Sequence, residues 1–213
     1  ATMWADCWWI LNPDTIPHPQ SLEFLIDRME RGDCDAVGGV VRFENGSIQG
    51  AGGIWNKFLA RAKSIRDTKA LDVERTQNYL LGTSMLISKR FFEIVGPMRE
   101  DYFLYAEEIE WFVRSKKLGI KLGHAPEANI SHRHGTTTGA GFKIRKLPRL
   151  PVYLNERNKL LVVRDTEPSV FPISVFLSLS IILIKFGRRA AFRQLWYALE
   201  GWAAAIRNQR GPI

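Results

Sequence analysis

The sequence predicts an α/β fold built on a mixed sheet, and three observations carry that reading. Short apolar runs at 7–11, 36–43 and 79–88 have the length and flanking turn residues of buried strands. Apolar residues at helical spacing fill 19–31, 106–118 and 150–164. Turn chemistry separates the two kinds of element, most clearly at Asn12-Pro13-Asp14, Asn45-Gly46 and Gly96-Pro97.

Taken in order, Cys7-Trp8-Trp9-Ile10-Leu11 is a strand that runs into the Asn12-Pro13-Asp14-Thr15 turn. Leu22, Leu25, Ile26 and Met29 mark a helix, and Gly32 stops it. Residues 36–43 form a strand leading to Asn45-Gly46. Residues 50–76 carry glycines and then charges, and a loop over one face is expected. Residues 79–88 return as a buried strand, and 89–95 as a short helix closed by Gly96. A helix over 106–118 ends at Gly119. Residues 120–132 hold strand-like pieces broken by Pro126, and 132–141 make a loop of small residues. The helix over 150–164 has a basic face.

A chain of 213 residues, 46% hydrophobic and 24% charged, buries a core, which excludes general disorder. Seventeen Gly and two Cys exclude collagen-like and disulfide-scaffold classes. Cys7 and Cys34 lie far from any CxxC pair, so free thiols in a reducing compartment are expected. The net charge is +8, but residues 142–213 alone hold 13 basic and 4 acidic side chains. The rest of the chain is close to neutral, which argues against a nucleic-acid partner. No basic region followed by an apolar run marks a signal peptide. A buried strand begins within a few residues of Ala1, so a longer protein upstream is expected.

Residues 169–186 are the most apolar stretch, with Lys185 near its end and Arg188, Arg189 and Arg193 after it. A buried core helix, a helix lying in the membrane interface and a spanning helix are all open at this length. The basic cluster favours contact with an anionic leaflet. The chain divides in this reading into an α/β part over 1–148 and a helical part over 149–213.

Four places carry residue types suited to chemistry. Asn12-Pro13-Asp14 sits at the end of a buried strand, where ligands bind in α/β sheets, and its oxygens suit Mg²⁺ or Mn²⁺. Glu107, Glu108 and Glu110 open a helix among Tyr102, Phe103, Tyr105, Trp111 and Phe112. An acidic helix start is itself favourable, yet apolar rings raise a carboxylate's pKa toward the range of a general base. Helical geometry puts Glu107, Glu110, Trp111 and Arg114 on one face and Glu108 elsewhere, so the carboxylates can take different roles. His132-Arg133-His134-Gly135 offers imidazoles to a metal or a diphosphate. In Asn155-Glu156-Arg157-Asn158, Arg157 has the planar fork of a phosphate clamp.

The segments LNPDT, GTSMLISKRFFEIVG, MREDYFLYAEEIEW, ISHRHGTTTG and YLNERN, in this order, resemble the family 2 glycosyltransferases, in particular bacterial rhamnosyltransferase-like members. The resemblance runs from about Trp8 to Arg164. It implies the C-terminal part of a GT-A (Rossmann-like) mixed-sheet fold, followed by a helical, apolar and basic tail. It implies transfer of a sugar from a nucleotide-diphosphate donor to a glycan or lipid-linked acceptor, with inversion, in cell-surface polysaccharide synthesis.

By the same resemblance, Asp14, with Asn12 in the place of the first DxD carboxylate, and His132 hold Mg²⁺ or Mn²⁺. Glu108 stands at the general-base position, with Glu107 beside it. Gly82, Thr83, Ser84, Trp111 and Arg157 are expected at the substrates; Asn158 completes a late Arg-Asn pair of unassigned role. The location implied is the bacterial cytoplasm, at the inner membrane surface. This chain departs from the family pattern in having Asn12 for Asp and Glu108 for Asp, and in having six residues before Cys7 where nucleotide-binding strands are expected. The last departure leaves a non-catalytic, membrane-associated module as the alternative. A metal hydrolase built on His132, His134 and Glu108 is a third reading.

Overall fold

The computed structural model describes residues 5–68, 72–133 and 143–213. It divides into two compact units, one of residues 1–55, 62–98 and 111–134, the other of 56–61, 99–110 and 135–213.

The first unit is built on a six-stranded sheet. Its strands are β1 (Cys7–Leu11), β2 (Thr15–Pro17), β3 (Ala36–Arg42), β4 (Ile48–Gly50), β7 (Ser84–Ser88) and β8 (Leu122–His132). They lie in the order β1-β7-β3-β8-β2, with β4 on β3. Strands β3 and β8 run parallel and every other pair is antiparallel, so the sheet is mixed. Strands β5 (Gly53–Asn56) and β6 (Arg61–Ser64) pair separately.

Helix α1 (Ser21–Glu30) packs Leu25 with Cys34, Val37, Leu86, Ala125 and Ala128, and Cys7 and Trp9 join that cluster. Trp8 points the other way, as strand alternation requires, and meets Phe92 edge-on at 5.0 Å. Phe92 belongs to α3 (Lys89–Val95), which starts where the Ser88 hydroxyl accepts from the Phe91 N–H. It ends at Gly96, whose φ of 75° suits glycine. A four-residue helix, α2 (Val73–Thr76), and most of α4 (Glu107–Lys117) complete this unit.

The second unit is helical: α5 (Arg149–Thr166), α6 (Phe171–Gly187) and α7 (Phe192–Ile206). Val152 of α5, Ile182 and Phe186 of α6, Ala191 just before α7 and Ala198 within it share one core. Helices α5 and α7 are in close contact at Gly201, where a Cβ would fall 2.2 Å from the Tyr153 carbonyl oxygen. On α6, Ser174, Ser178, Ile182 and Phe186 recur every fourth residue and are buried. The Ser174 hydroxyl donates to the Lys57 carbonyl at 2.7 Å, and the Trp202 indole donates to the Val175 carbonyl at 3.1 Å.

Two expectations change. Residues 50–76 are not a plain loop, because β5, β6 and α2 occupy them. Pro126 does not break the strand over 122–132: the β3–β8 register jumps from Gly38↔His124 to Val40↔Asn129, and this irregularity takes up the missing N–H. Gly39 makes the jump possible, since a Cβ there would stand 2.3 Å from the Ala128 carbonyl oxygen.

In an open helix, Gly→Ala stabilises by about 1 kcal/mol. Gly201→Ala is expected to reverse that sign and cost about 1–3 kcal/mol through the α5–α7 overlap. Urea denaturation midpoints at an unchanged slope measure it.

Candidate active site

In the first unit, strand register brings two of the expected metal ligands together. The short strand β2 pairs with the end of β8, Thr15 opposite His132, and the Arg133 N–H donates to the Asp14 carbonyl at 3.0 Å. This puts His132 Nε2 3.2 Å from Asp14 Oδ1. The imidazole is 7% exposed, and its Nδ1 lies 2.9 Å from Gln49 Oε1 on β4. An amide oxygen only accepts, so the Nδ1 proton faces Gln49, and Nε2 is left to face the carboxylate.

The donor set of one carboxylate and one imidazole fits a Mn²⁺- or Mg²⁺-type ion that keeps several positions for phosphate and water. Gln49 is the outer partner that orients the imidazole. No group of three His, Cys, Asp or Glu gathers around one point among the described residues. His134 lies outside the described residues.

Gly82, Thr83 and Ser84 lie beside the same turn, because β1 pairs with β7, Leu11 opposite Ser84. The Asn12 N–H donates to the Thr83 carbonyl at 3.1 Å, and the Asn12 carbonyl accepts from Thr15 N and Oγ1. Asn12 thus shapes the turn through its backbone. Ser84 is 2% exposed, and its hydroxyl accepts from the Trp9 indole at 3.0 Å. That hydroxyl serves the fold, a correction to its expected substrate contact.

Trp111 is corrected in the same sense. It is 1% exposed, its indole donates to the Gly96 carbonyl at 2.9 Å, and Phe91 packs on it edge-on at 4.8 Å. Its ring is core.

In the second unit, Glu107 and Glu108 follow a loop under backbone strain. Phe103, Tyr105 and Ala106 all have positive φ, at 66°, 72° and 67°. Each such non-glycine residue costs on the order of 1–3 kcal/mol. Asn158 offsets this. Its buried amide nitrogen reaches the carbonyls of Tyr102, Leu104 and Tyr105 at 2.9, 2.7 and 2.8 Å. Arg157 donates to Asn158 Oδ1 at 2.8 Å and to the Tyr102 carbonyl at 3.2 Å. Arg157 is 1% exposed, so it is an internal strut and not the expected phosphate clamp. The late Arg-Asn pair therefore acquires a role: it holds the loop that delivers the glutamates.

An ion network below adds to the hold. The Tyr102 hydroxyl donates to Asp165 at 2.8 Å, and Arg99 and Arg210 both bridge Asp101 and Asp165. Glu108 is half-buried, and burial, with the Glu107 charge beside it, pushes its carboxyl up to about 7. Burial also raises Glu107, whose Oε2 is buried with no hydrogen-bond partner. A carboxyl near 7 both takes up and releases a proton at neutral pH.

No family model matches the chain. It is 28% identical over 153 residues to the N-acetylglucosaminyl-diphospho-decaprenol L-rhamnosyltransferase of Mycobacterium tuberculosis, a match covering 64% of this chain and 50% of that protein. It is 29% identical over 106 residues to the low-salt glycan biosynthesis hexosyltransferase Agl10 of Haloferax volcanii, over 48% of this chain and 32% of that one. The chain thus spans half or less of the length of the curated relatives it matches. The crystal structure of GalNAc-T7 with UDP, GalNAc and Mn²⁺ superposes with a TM-score of 0.54 at 14% identity, over 75% of this chain and 31% of that one. The fold is therefore of GT-A type, a mixed α/β sheet followed by a helical C-terminal region. The named relatives are glycosyltransferases.

Two outcomes follow for the second unit. The folded state binds the Glu108 proton more tightly than the unfolded chain. Its contribution to stability is complete below about pH 4.5 and is lost as pH rises through about 7. Glu108→Gln is expected to gain denaturation midpoint relative to the native chain at pH 8, compared with pH 4.5. Asn158→Ala is expected to cost about 2–4 kcal/mol in chemical denaturation, because the Leu104 and Tyr105 carbonyls lose their side-chain donor and Arg157 loses its Oδ1 acceptor.

Proposed function

We propose that the chain belongs to a metal-dependent, inverting glycosyltransferase that moves a sugar from a nucleotide-diphosphate donor to a lipid-linked or glycan acceptor in cell-surface polysaccharide synthesis. The observation that carries the reading is the Asp14–His132 pair, with its tautomer set by Gln49, at the end of the sheet strands. The glycosyltransferase relatives and the GT-A fold support it.

In this reading Asp14 and His132 hold Mg²⁺ or Mn²⁺, which when bound neutralises charge on the departing diphosphate. Gly82 and Thr83 keep side-chain volume low next to that turn. Glu108 accepts the proton of the acceptor hydroxyl, whose oxygen attacks the anomeric carbon from the side opposite the nucleoside diphosphate. The C–O bond to the diphosphate breaks as the new one forms, so configuration inverts.

Membrane attachment through α6 is part of the proposal. Pro168–Gly187 is a 20-residue helical stretch of mean hydropathy 2.1, long and apolar enough to cross a membrane. One face of it is nevertheless committed to the protein core, while Ile173, Phe176 and Ile184 are 52%, 73% and 57% exposed. An interfacial position at the inner face of a bacterial membrane, next to Arg188, Arg189 and Arg193, fits that division better than a span.

Calorimetric titration with UDP and with dTDP, with and without Mn²⁺, tests the donor site. Metal-dependent binding is expected for the native chain, weakened at least about tenfold in Asp14→Ala, since a metal ligand is lost. Binding untouched by metal or by the substitution overturns the reading. No binding by either protein supports a non-catalytic module instead.

A further inference from the structure

The second unit contains a surplus of positive charge that the scheme above does not use. The Glu156 carboxylate on α5, 2% exposed, takes Arg61 at 2.8 Å and Lys185 of α6 at 3.1 Å. Lys159 follows three residues along α5, half-buried, and its ammonium makes no hydrogen bond or ion pair among the described residues. Three cations therefore share one carboxylate.

The Arg61 Nη2 is also buried without a hydrogen-bond partner, as is Glu156 Oε2, which meets Arg61 Nη1 as an ion pair alone. Burial pulls Lys159 down to about 8, even though the Glu156 and Glu108 charges act to raise it. Uncompensated positive charge in such a place is costly until an anion meets it.

We propose that Arg61, Lys159 and Lys185 bind the diphosphate of the acceptor, an isoprenyl-diphosphate-linked sugar. The planar Arg61 fork suits paired phosphoryl oxygens, and the two lysines act as point charges on the remainder. A surplus of two positive charges matches two adjacent phosphoryl groups better than a single carboxylate. Lys159 and Glu108, the group assigned to the acceptor hydroxyl, belong to the same unit, and the Glu108 charge acts on Lys159, so we assign the anion to the acceptor. Lys185 lies on α6, whose exposed apolar side offers room to an isoprenyl chain. The assignment to the acceptor rests on the glycosyltransferase reading; the anion site itself does not.

The test is calorimetric titration of the whole chain with inorganic pyrophosphate and with farnesyl diphosphate, in EDTA and without nucleotide. Lys159→Met is expected to weaken both by about tenfold or more, and Lys159→Arg to keep most of the affinity, since charge is what the site supplies. Manganese-dependent UDP or dTDP binding is expected to be unchanged in Lys159→Met. Equal affinity in Lys159→Met and the native chain overturns the proposal, as does parallel loss of nucleotide binding, which would make this the donor's anion site. Phosphatidylglycerol vesicles that displace farnesyl diphosphate at matched phosphate concentration overturn it in favour of lipid headgroups. If pyrophosphate binds here while the Asp14→Ala titration fails, the anion site stands and the glycosyltransferase reading does not.

Discussion

The second unit depends on one side-chain amide. The Asn158 amide nitrogen lies within hydrogen-bond reach of the Tyr102, Leu104 and Tyr105 carbonyls, in a loop that contains three left-handed non-glycine residues. Without a donor at that point, the Leu104 and Tyr105 carbonyls would lose their side-chain partner, and the loop would relax toward ordinary backbone angles. The first turn of α4 begins directly after the loop, so the direction in which Glu107 and Glu108 leave the backbone is set by a residue about fifty positions later in sequence. Arg157 holds the clamp itself, and Asp165 with Arg99 and Arg210 holds the turn beneath it. Half-buried carboxyl groups with raised pKa need a frame that tolerates their burial, and this frame is made of backbone carbonyls, the Asn158 amide and the buried Arg157 guanidinium.

The first unit solves a different problem, that of putting a carboxylate and an imidazole at one point. It does so by register alone. A three-residue strand beside the end of β8 sets Thr15 against His132, and Asp14 follows. The side-chain period of two means that a one-residue slip would turn His132 to the other face. Gln49 adds the proton position, which strand pairing cannot supply.

Much of the fold was legible because local signals agreed with one another. For α3, a Ser cap, a short apolar period and a terminal glycine all mark the same seven residues. The strand over 122–132 was obscured by Pro126, whose cost vanishes only at a register jump that depends on Gly39, a residue on another strand. The pieces over 48–64 are three or four residues each, too short for any period to show.

At the candidate site, residue types pointed to Asp14, Glu108 and His132, but not to which polar groups face inward. Trp111 and Arg157 have chemistry that suits a ligand, yet both are closed into the interior. Gln49, Lys159 and Arg61 gave no sequence signal, because a single polar residue acquires meaning only from what the fold sets beside it.

The sheet's outer strand has a consequence of another kind. Strand β1 pairs with β7 on one side, and among the described residues nothing pairs with the other. Its sequence, Cys-Trp-Trp-Ile-Leu, is apolar and carries no charge or proline to blunt an open edge. At the opposite edge, β2 ends in Pro17 and is only three residues long. The two margins are thus unequal: one is protected against added strands, the other invites them. A strand added at β1, from the same polypeptide or from a neighbour, would extend the sheet with main-chain hydrogen bonds on that margin alone.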